Sequence, residues 1–237
     1  MREFRAAGLC YSTWVGTLDE AHVPETVQNK GPAYEPLPWA YDDRNIPWFT
    51  LWEYSWLLAN SGLLDIAPTR VLSLGGNASI LEATIARCGH DVTVVDRREY
   101  ALAIAGRNAR RLGYRLRTCP GDFVALAELL GVEEPFTHVV STSVLFLCGQ
   151  QARDVVGRQL WRFVVEGGLL AFTFDYANPN PKRWLVDPIG HFAFDNFTVV
   201  PPSSAFQDAG ERHHLYYPDP LKGYYTAGAL FMRRGAV

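Results

Sequence analysis

The chain has 237 residues, 48% hydrophobic and 20% charged, with 22 basic against 25 acidic side chains and a net charge of −3. That apolar share excludes general disorder and can build a core without metal or disulfide staples, and the length suits one compact domain with arms. The mild acidity, with a pI near 6.1, excludes a broad basic footprint for a phosphate backbone, so no nucleic-acid partner is expected.

The opening MREFRAAGLCYSTWVG lacks an apolar run long enough for a signal-peptide core, and no membrane-length apolar stretch occurs anywhere, so a cytoplasmic protein without a membrane partner is expected. Cys10, Cys88, Cys119 and Cys148 show no C-x-x-C pairing, which fits free thiols rather than a metal site. Residues 1–47 are interrupted by prolines and resist regular structure. From Pro47 to Asn60 (PWFTLWEYSWLLAN), Trp48, Leu51, Trp52 and Trp56 recur at helical spacing, and Gly62 lies just beyond.

The pattern then alternates. RVLSL (70–74) reads as a strand, Ala78–Cys88 as a helix closed by Gly89, and DVTVV (91–95) as a strand. A helix over 98–112, a strand near 114–118, a helix near 124–130 and a strand over 137–142 follow. A helix over 150–165 leads through Glu166-Gly167-Gly168 into the strand LLAFTF (169–174). Strands alternating with helices predict a parallel sheet covered on both faces. FTVV (197–200) and YYTAGALFMR (224–233) read as two further strands.

Strand, glycine turn, helix, strand and acid is the arrangement by which open α/β sheets bind a nucleoside: the turn admits the ligand to the backbone, and the acid pairs with ribose hydroxyls. The turn is Gly75-Gly76-Asn77, the acid is Asp96, with Arg97 beside it, and Asp122-Phe123 follows the next strand where adenine would lie. Each piece has a plainer reading, as a strand-to-helix turn, a solvated strand end and a helix cap. A dinucleotide is disfavoured, because Gly75-Gly76-Asn77-Ala78-Ser79-Ile80 has no G-x-G-x-x-G.

At these residues the chain resembles the class I S-adenosylmethionine-dependent methyltransferases. VLSLGGNASILEATIARCGHDVTVVDRR matches their first two motifs, GDF their adenine motif, and THVVSTSVLF and EGGLLAFTFDY their fourth and fifth strands. YYTAGALFMRR resembles their antiparallel seventh strand. The resemblance covers residues 70–233 and implies an α/β, Rossmann-like fold: a seven-stranded, mostly parallel sheet with one antiparallel strand and helices on both faces. It implies S-adenosylmethionine as cofactor, with Gly75, Gly76, Asn77, Asp96, Arg97, Asp122, Phe123 and Thr142 as contacts. Glu53 and Tyr54 match a Glu-Tyr element that some members place before the first strand, which adds Glu53 to that set. The chain departs from the family pattern at Ser73, where an acid is usual, and at Asn77 and Ser79, where glycines are usual.

Methyl transfer depends on in-line placement of the acceptor and, for a hydroxyl or ammonium, on removal of its proton. Asp175, directly after the fifth strand, and His213 and His214 in the late connection are the candidate proton carriers. Tyr176, His191 and Trp52 are candidate substrate contacts, and no metal is implied. The arm at 1–68 and the segment at 175–223, within a core over 69–237, are expected to cover the carboxyl ends of the strands. The aromatics fit that division, with 11 in residues 1–60, 7 in 61–170 and 13 in 171–237. The expected activity is methylation of a small molecule, such as a sugar or natural-product hydroxyl. A non-catalytic binding subunit and an NAD(P)-dependent oxidoreductase remain alternatives, as does a dimer for the oligomeric state.

Overall fold

The computed structural model describes residues 9–11, 53–54, 57–58, 60–75, 80–131, 134–145, 148–177, 194–200, 215–216 and 224–236. Its strands are β1 (Leu9–Tyr11), β2 (Arg70–Leu74), β3 (Asp91–Asp96), β4 (Leu116–Pro120), β5 (Phe136–Ser141), β6 (Val164–Ala177), β7 (Phe197–Val199), β8 (Leu215–Tyr216) and β9 (Tyr224–Arg234). The α-helices are α1 (Ile80–Arg87), α2 (Glu99–Leu112), α3 (Leu126–Leu130) and α4 (Gln150–Gln159).

The order across the sheet is β1-β9-β6-β5-β2-β3-β4. β4, β3, β2, β5 and β6 are parallel, and β9 runs antiparallel beside β6. β7 also pairs with β9, so the antiparallel strand is inserted between the fifth and sixth, as the family resemblance implies. Two short strands are additions to the expected seven. β1 pairs with Gly228–Leu230 and β8 with Tyr224–Tyr225, so three short segments cover one edge of β9 in succession. Periodicity gives little warning of strands two or three residues long.

Alternation along the strands divides the core. Leu72, Leu74, Val95 and Val139 join Leu126 of α3 and Val156 of α4 in one apolar cluster. Val71, Val92, Val94 and Val140 join Ile85 of α1, Leu102 of α2, and Tyr54, Leu57 and Leu58 in the other. The described residues between 53 and 61 are helical, as their spacing predicts, and Gly62 follows at φ +76°.

The largest departure is β6, which begins at Val164 and ends at Ala177, longer at both ends than expected. The helix before it stops at Gln159, a 3-10 turn over Leu160–Phe163 follows, and Val164 already pairs with Phe136. The next pair is His138 with Leu169, so Glu166-Gly167-Gly168 is accommodated as a bulge. A Cβ on Gly168 would lie 2.8 Å from the Thr137 carbonyl oxygen, which is why glycine stands there. At the other end the ladder with β9 carries β6 through Asp175, Tyr176 and Ala177, paired with Ala227, Thr226 and Tyr225. Asp175 and Tyr176 are therefore strand residues, which corrects their expected place in a loop after the strand.

Candidate ligand site at the carboxyl ends of the parallel strands

Four neighbouring strands, β4, β3, β2 and β5, end on the same side of the sheet, and each delivers a polar or conformationally unusual residue there. At the usual spacing between strands the row spans about 14 Å, enough for an extended ligand rather than a lone ring.

After β2, Gly75 adopts φ +78° and donates its N–H to the Val95 carbonyl at 2.8 Å. A Cβ at this position would lie 2.6 Å from Val144 Cγ1, so both the dihedral and the close approach of the loop after β5 require glycine. At the end of β3, Asp96 is 3% exposed. Its Oδ1 accepts from the Arg98 backbone N–H at 2.9 Å and from Arg98 Nε at 3.1 Å, and its Oδ2 from Arg98 Nη2 at 3.1 Å. The carboxylate expected to meet ribose hydroxyls is thus held two-handed by its own chain.

After β4, Asp122 caps the short 3-10 turn, accepting from the Val124 N–H at 3.2 Å, and its Oδ2 lies 3.6 Å from Arg97 Nε. The Phe123 ring is buried in the core, while its carbonyl accepts from the Gln159 side chain at 3.0 Å. Arg97 is mostly exposed.

After β5, Thr142 is buried and Ser143 takes φ +49°, an uncommon conformation for a residue other than glycine. Ser143 is fixed from two sides. Its N–H donates to the Thr173 carbonyl at 3.2 Å and to Thr173 Oγ1 at 3.1 Å, and its hydroxyl donates to Glu53 Oε1. Glu53, 2% exposed, therefore reaches the end of β5 from the helix that precedes the sheet, which joins two residues ninety positions apart. Such over-determined strain is characteristic of ligand sites.

Gly75, Asp96, Arg97, Asp122, Phe123, Thr142 and Glu53 thus gather at one end of the sheet. Gly76, Asn77, Trp52, His191, His213 and His214 lie outside the described residues, and for Asp175 and Tyr176 only the backbone is described. Three features escaped the sequence reading: the hold of Arg98 on Asp96, the strain at Ser143, and a buried contact from Ser73 to Glu82. The first had a signal, since an Asp two residues before an Arg at a helix start invites a local side-chain bond.

His90 and His138 lie at the opposite, amino ends of the strands. His90 Nδ1 accepts from the Thr69 N–H at 3.1 Å, which leaves Nε2 to donate to the Leu63 carbonyl at 2.6 Å. His138 Nε2 meets the Ser61 carbonyl at 3.1 Å, and burial pushes its pKa down to about 4. Burial likewise raises the Cys88 and Cys148 thiols above their usual value.

No protein-family model matches the chain, and no curated protein matches it in sequence. Solved structures do match. The [4+2]-cyclase SpnF superposes with a TM-score of 0.59 at 16% identity, covering 76% of this chain and 79% of that one. The N-methyltransferase NodS from Bradyrhizobium japonicum WM9, in complex with S-adenosyl-L-homocysteine, gives 0.53 at 18% identity over 77% and 86%. TehB from Haemophilus influenzae gives 0.54 at 16% identity over 72% of this chain, which spans only 59% of TehB. The chain has the fold of the class I S-adenosylmethionine-dependent methyltransferases. Within that fold the parallel strands carry their ligand at their carboxyl ends, where the crossing order reverses. In this chain that reversal falls between β2 and β5, beside Gly75 and Ser143.

Proposed function

We propose that the chain is an S-adenosylmethionine-dependent methyltransferase acting on a small molecule. The observation that carries this reading is the single row formed by Asp122, buried Asp96, the close-packed Gly75 turn and the Glu53–Ser143 pair. In this reading Asp96 binds the ribose hydroxyls, the loop at Asp122 and Phe123 borders the adenine, and the Gly75 turn admits the amino-acid portion, with Glu53 at its far end. The cofactor supplies an activated methyl group on a sulfonium. The chain's own residues orient the acceptor and exclude water, and orientation can supply much of the rate. Asp175, His213 and His214 are the proposed proton carriers for a hydroxyl acceptor, and Tyr176, His191 and Trp52 the proposed substrate wall. The parts of the arm at 1–68 and of the segment at 175–223 that are neither in the sheet nor at the amino ends of its strands would close over the row.

One observation favours a second reading. A chain that keeps Asp96 in a bidentate pair with Arg98 and has Ser73 where relatives carry an acid is what a binding subunit without catalysis would look like. Fold does not decide between them, since a cyclase shares it. Calorimetric titration with S-adenosylmethionine, S-adenosylhomocysteine and NAD separates the cases. Micromolar binding of the sulfur nucleosides alone supports the proposal, binding of NAD alone overturns it, and binding of none favours the subunit.

A further inference from the structure

The loop after β4 is anchored at three points. The Gly121 N–H donates to the Asp96 carbonyl at 3.0 Å, and a Cβ on Gly121 would lie 2.5 Å from Leu129 Cδ1, so the chain enters the loop pressed against α3. Within the loop, Asp122 Oδ1 accepts from the Val124 N–H. The third anchor comes from thirty-six positions away. Gln159, the last residue of α4, donates from Nε2 to the Phe123 carbonyl at 3.0 Å and to the Val124 carbonyl at 3.3 Å. An amide nitrogen carries two protons, so one side chain serves both acceptors, and two carbonyls facing it fix which end of the amide is nitrogen. The backbone that carries Gln159 is held in place, because Val156 and Leu160 share one apolar cluster with Phe123 and Leu126.

With these carbonyls turned to Gln159, the loop keeps one donor and one acceptor for a ligand, the Phe123 N–H and Asp122 Oδ2. Neither has a hydrogen-bond partner among the described residues, since Arg97 Nε stands 3.6 Å from Oδ2, beyond hydrogen-bond distance. Adenine presents a ring-nitrogen acceptor beside an amine donor and suits such a pair, whereas hypoxanthine presents an N–H and a carbonyl and opposes both. We propose that Gln159 is a positioning residue that fixes the loop after β4 and thereby sets the preference of the site for adenine over hypoxanthine. The proposal rests on the reading of this loop as the border of the adenine. A link that served only to join α4 to the loop would change stability and leave the ratio of the two affinities alone.

The test is calorimetric titration of adenosine and inosine into the native chain, Gln159→Leu and Gln159→Glu, with thermal melts to establish folding. Gln159→Leu removes both bonds and keeps an apolar side chain of similar reach. It is expected to lose about fivefold in affinity for adenosine and less than twofold for inosine, which has no matched bonds to lose. Gln159→Glu keeps the shape but sets an acceptor against two carbonyls, and is expected to lose about tenfold for adenosine with the same small change for inosine. Equal losses for the two nucleosides, or no loss, in a folded variant overturn the proposal. If one variant fails to fold, the other decides by the same ratio. A native chain that binds neither nucleoside, or both alike, overturns the adenine reading and this inference together, whereas a native preference that persists unaltered in the variants overturns the inference alone.

Discussion

The two ends of the parallel strands bury polar groups in opposite ways. At the amino ends, His90 and His138 are bonded to backbone carbonyls of the segment between the preceding helix and β2, at Leu63 and Ser61. Those partners are fixed by the chain itself, and the imidazoles act as staples. At the carboxyl ends, Asp96 and Glu53 are bonded to the side chains of Arg98 and Ser143, Asp96 also accepting from the Arg98 backbone N–H, and Gly75 and Ser143 hold positive φ. Side-chain partners can rotate away, and left-handed turns expose backbone groups. The amino ends use buried imidazoles as staples, while the carboxyl ends carry buried carboxylates whose side-chain partners could be exchanged for those of a ligand.

The most severe way to break the carboxyl end is Gly75→Ala. The new Cβ would meet Val144 at well under van der Waals distance, and φ +78° disfavours any Cβ. Strain and overpacking together are expected to cost about 2–4 kcal/mol of stability and to abolish ligand binding. A melting temperature equal to the native one would show that the loop after β5 moves aside freely.

The stapled end is tested by acid. The folded pKa of His138 near 4 lies below its ordinary 6.5, so the fold favours the neutral ring. Its contribution is therefore fully present above about pH 6.5 and is lost as pH falls toward about 4, by about 3 kcal/mol in all. His90 and Arg233 oppose protonation as well, the Ser61 carbonyl favours it, and the Thr137 hydroxyl lies 2.9 Å from Nδ1. Denaturant unfolding at pH 7 and pH 4.5 should show this loss in the native chain and a smaller one in His138→Gln. Parallel slopes in the two would assign the acid sensitivity elsewhere.

Asp96→Ala tests the proposed ribose contact at the carboxyl end. A tenfold loss of S-adenosylmethionine affinity, about 1.4 kcal/mol, is expected, and an unchanged affinity in the folded variant would remove Asp96 from the site.

How much of this was legible follows from what carries each feature. The alternating strands and helices were readable because burial on two faces forces long periodic runs, whereas the place of β9 beside β6 came from the family resemblance and not from any period. β1 and β8 were not, since two or three residues carry no period. The extension of β6 past Phe174 was hidden for a different reason: pairing with β9, distant in sequence, continues the strand where the parallel ladder has ended. At the site, the residue types at strand ends were visible, but their partners were not. Nothing in the order of residues announces that Glu53 meets Ser143, that Ser73 meets Glu82, or that the carboxylate of Asp96 is already engaged.

That engagement gives the sharpest test of whether the carboxyl end exchanges partners. A guanidinium lying side-on across both oxygens of Asp96 uses the same geometry that a ribose diol would use, so the two compete for one face of the carboxylate. Arg98 is 40% exposed, so water can solvate the freed guanidinium, and the incoming diol takes over the bonds that buried Asp96 gives up. Arg98→Met keeps much of the side-chain bulk, removes the competitor and leaves the backbone N–H bond at Oδ1. Affinity for adenosine, which carries the diol and no amino-acid portion, should then rise about threefold, or about 0.7 kcal/mol. The same gain should appear in the native chain at high salt, where the exposed half of the pair is screened. A fall in affinity instead would mean that Arg98 itself touches the ligand, and the carboxyl end would then be preformed rather than exchanging.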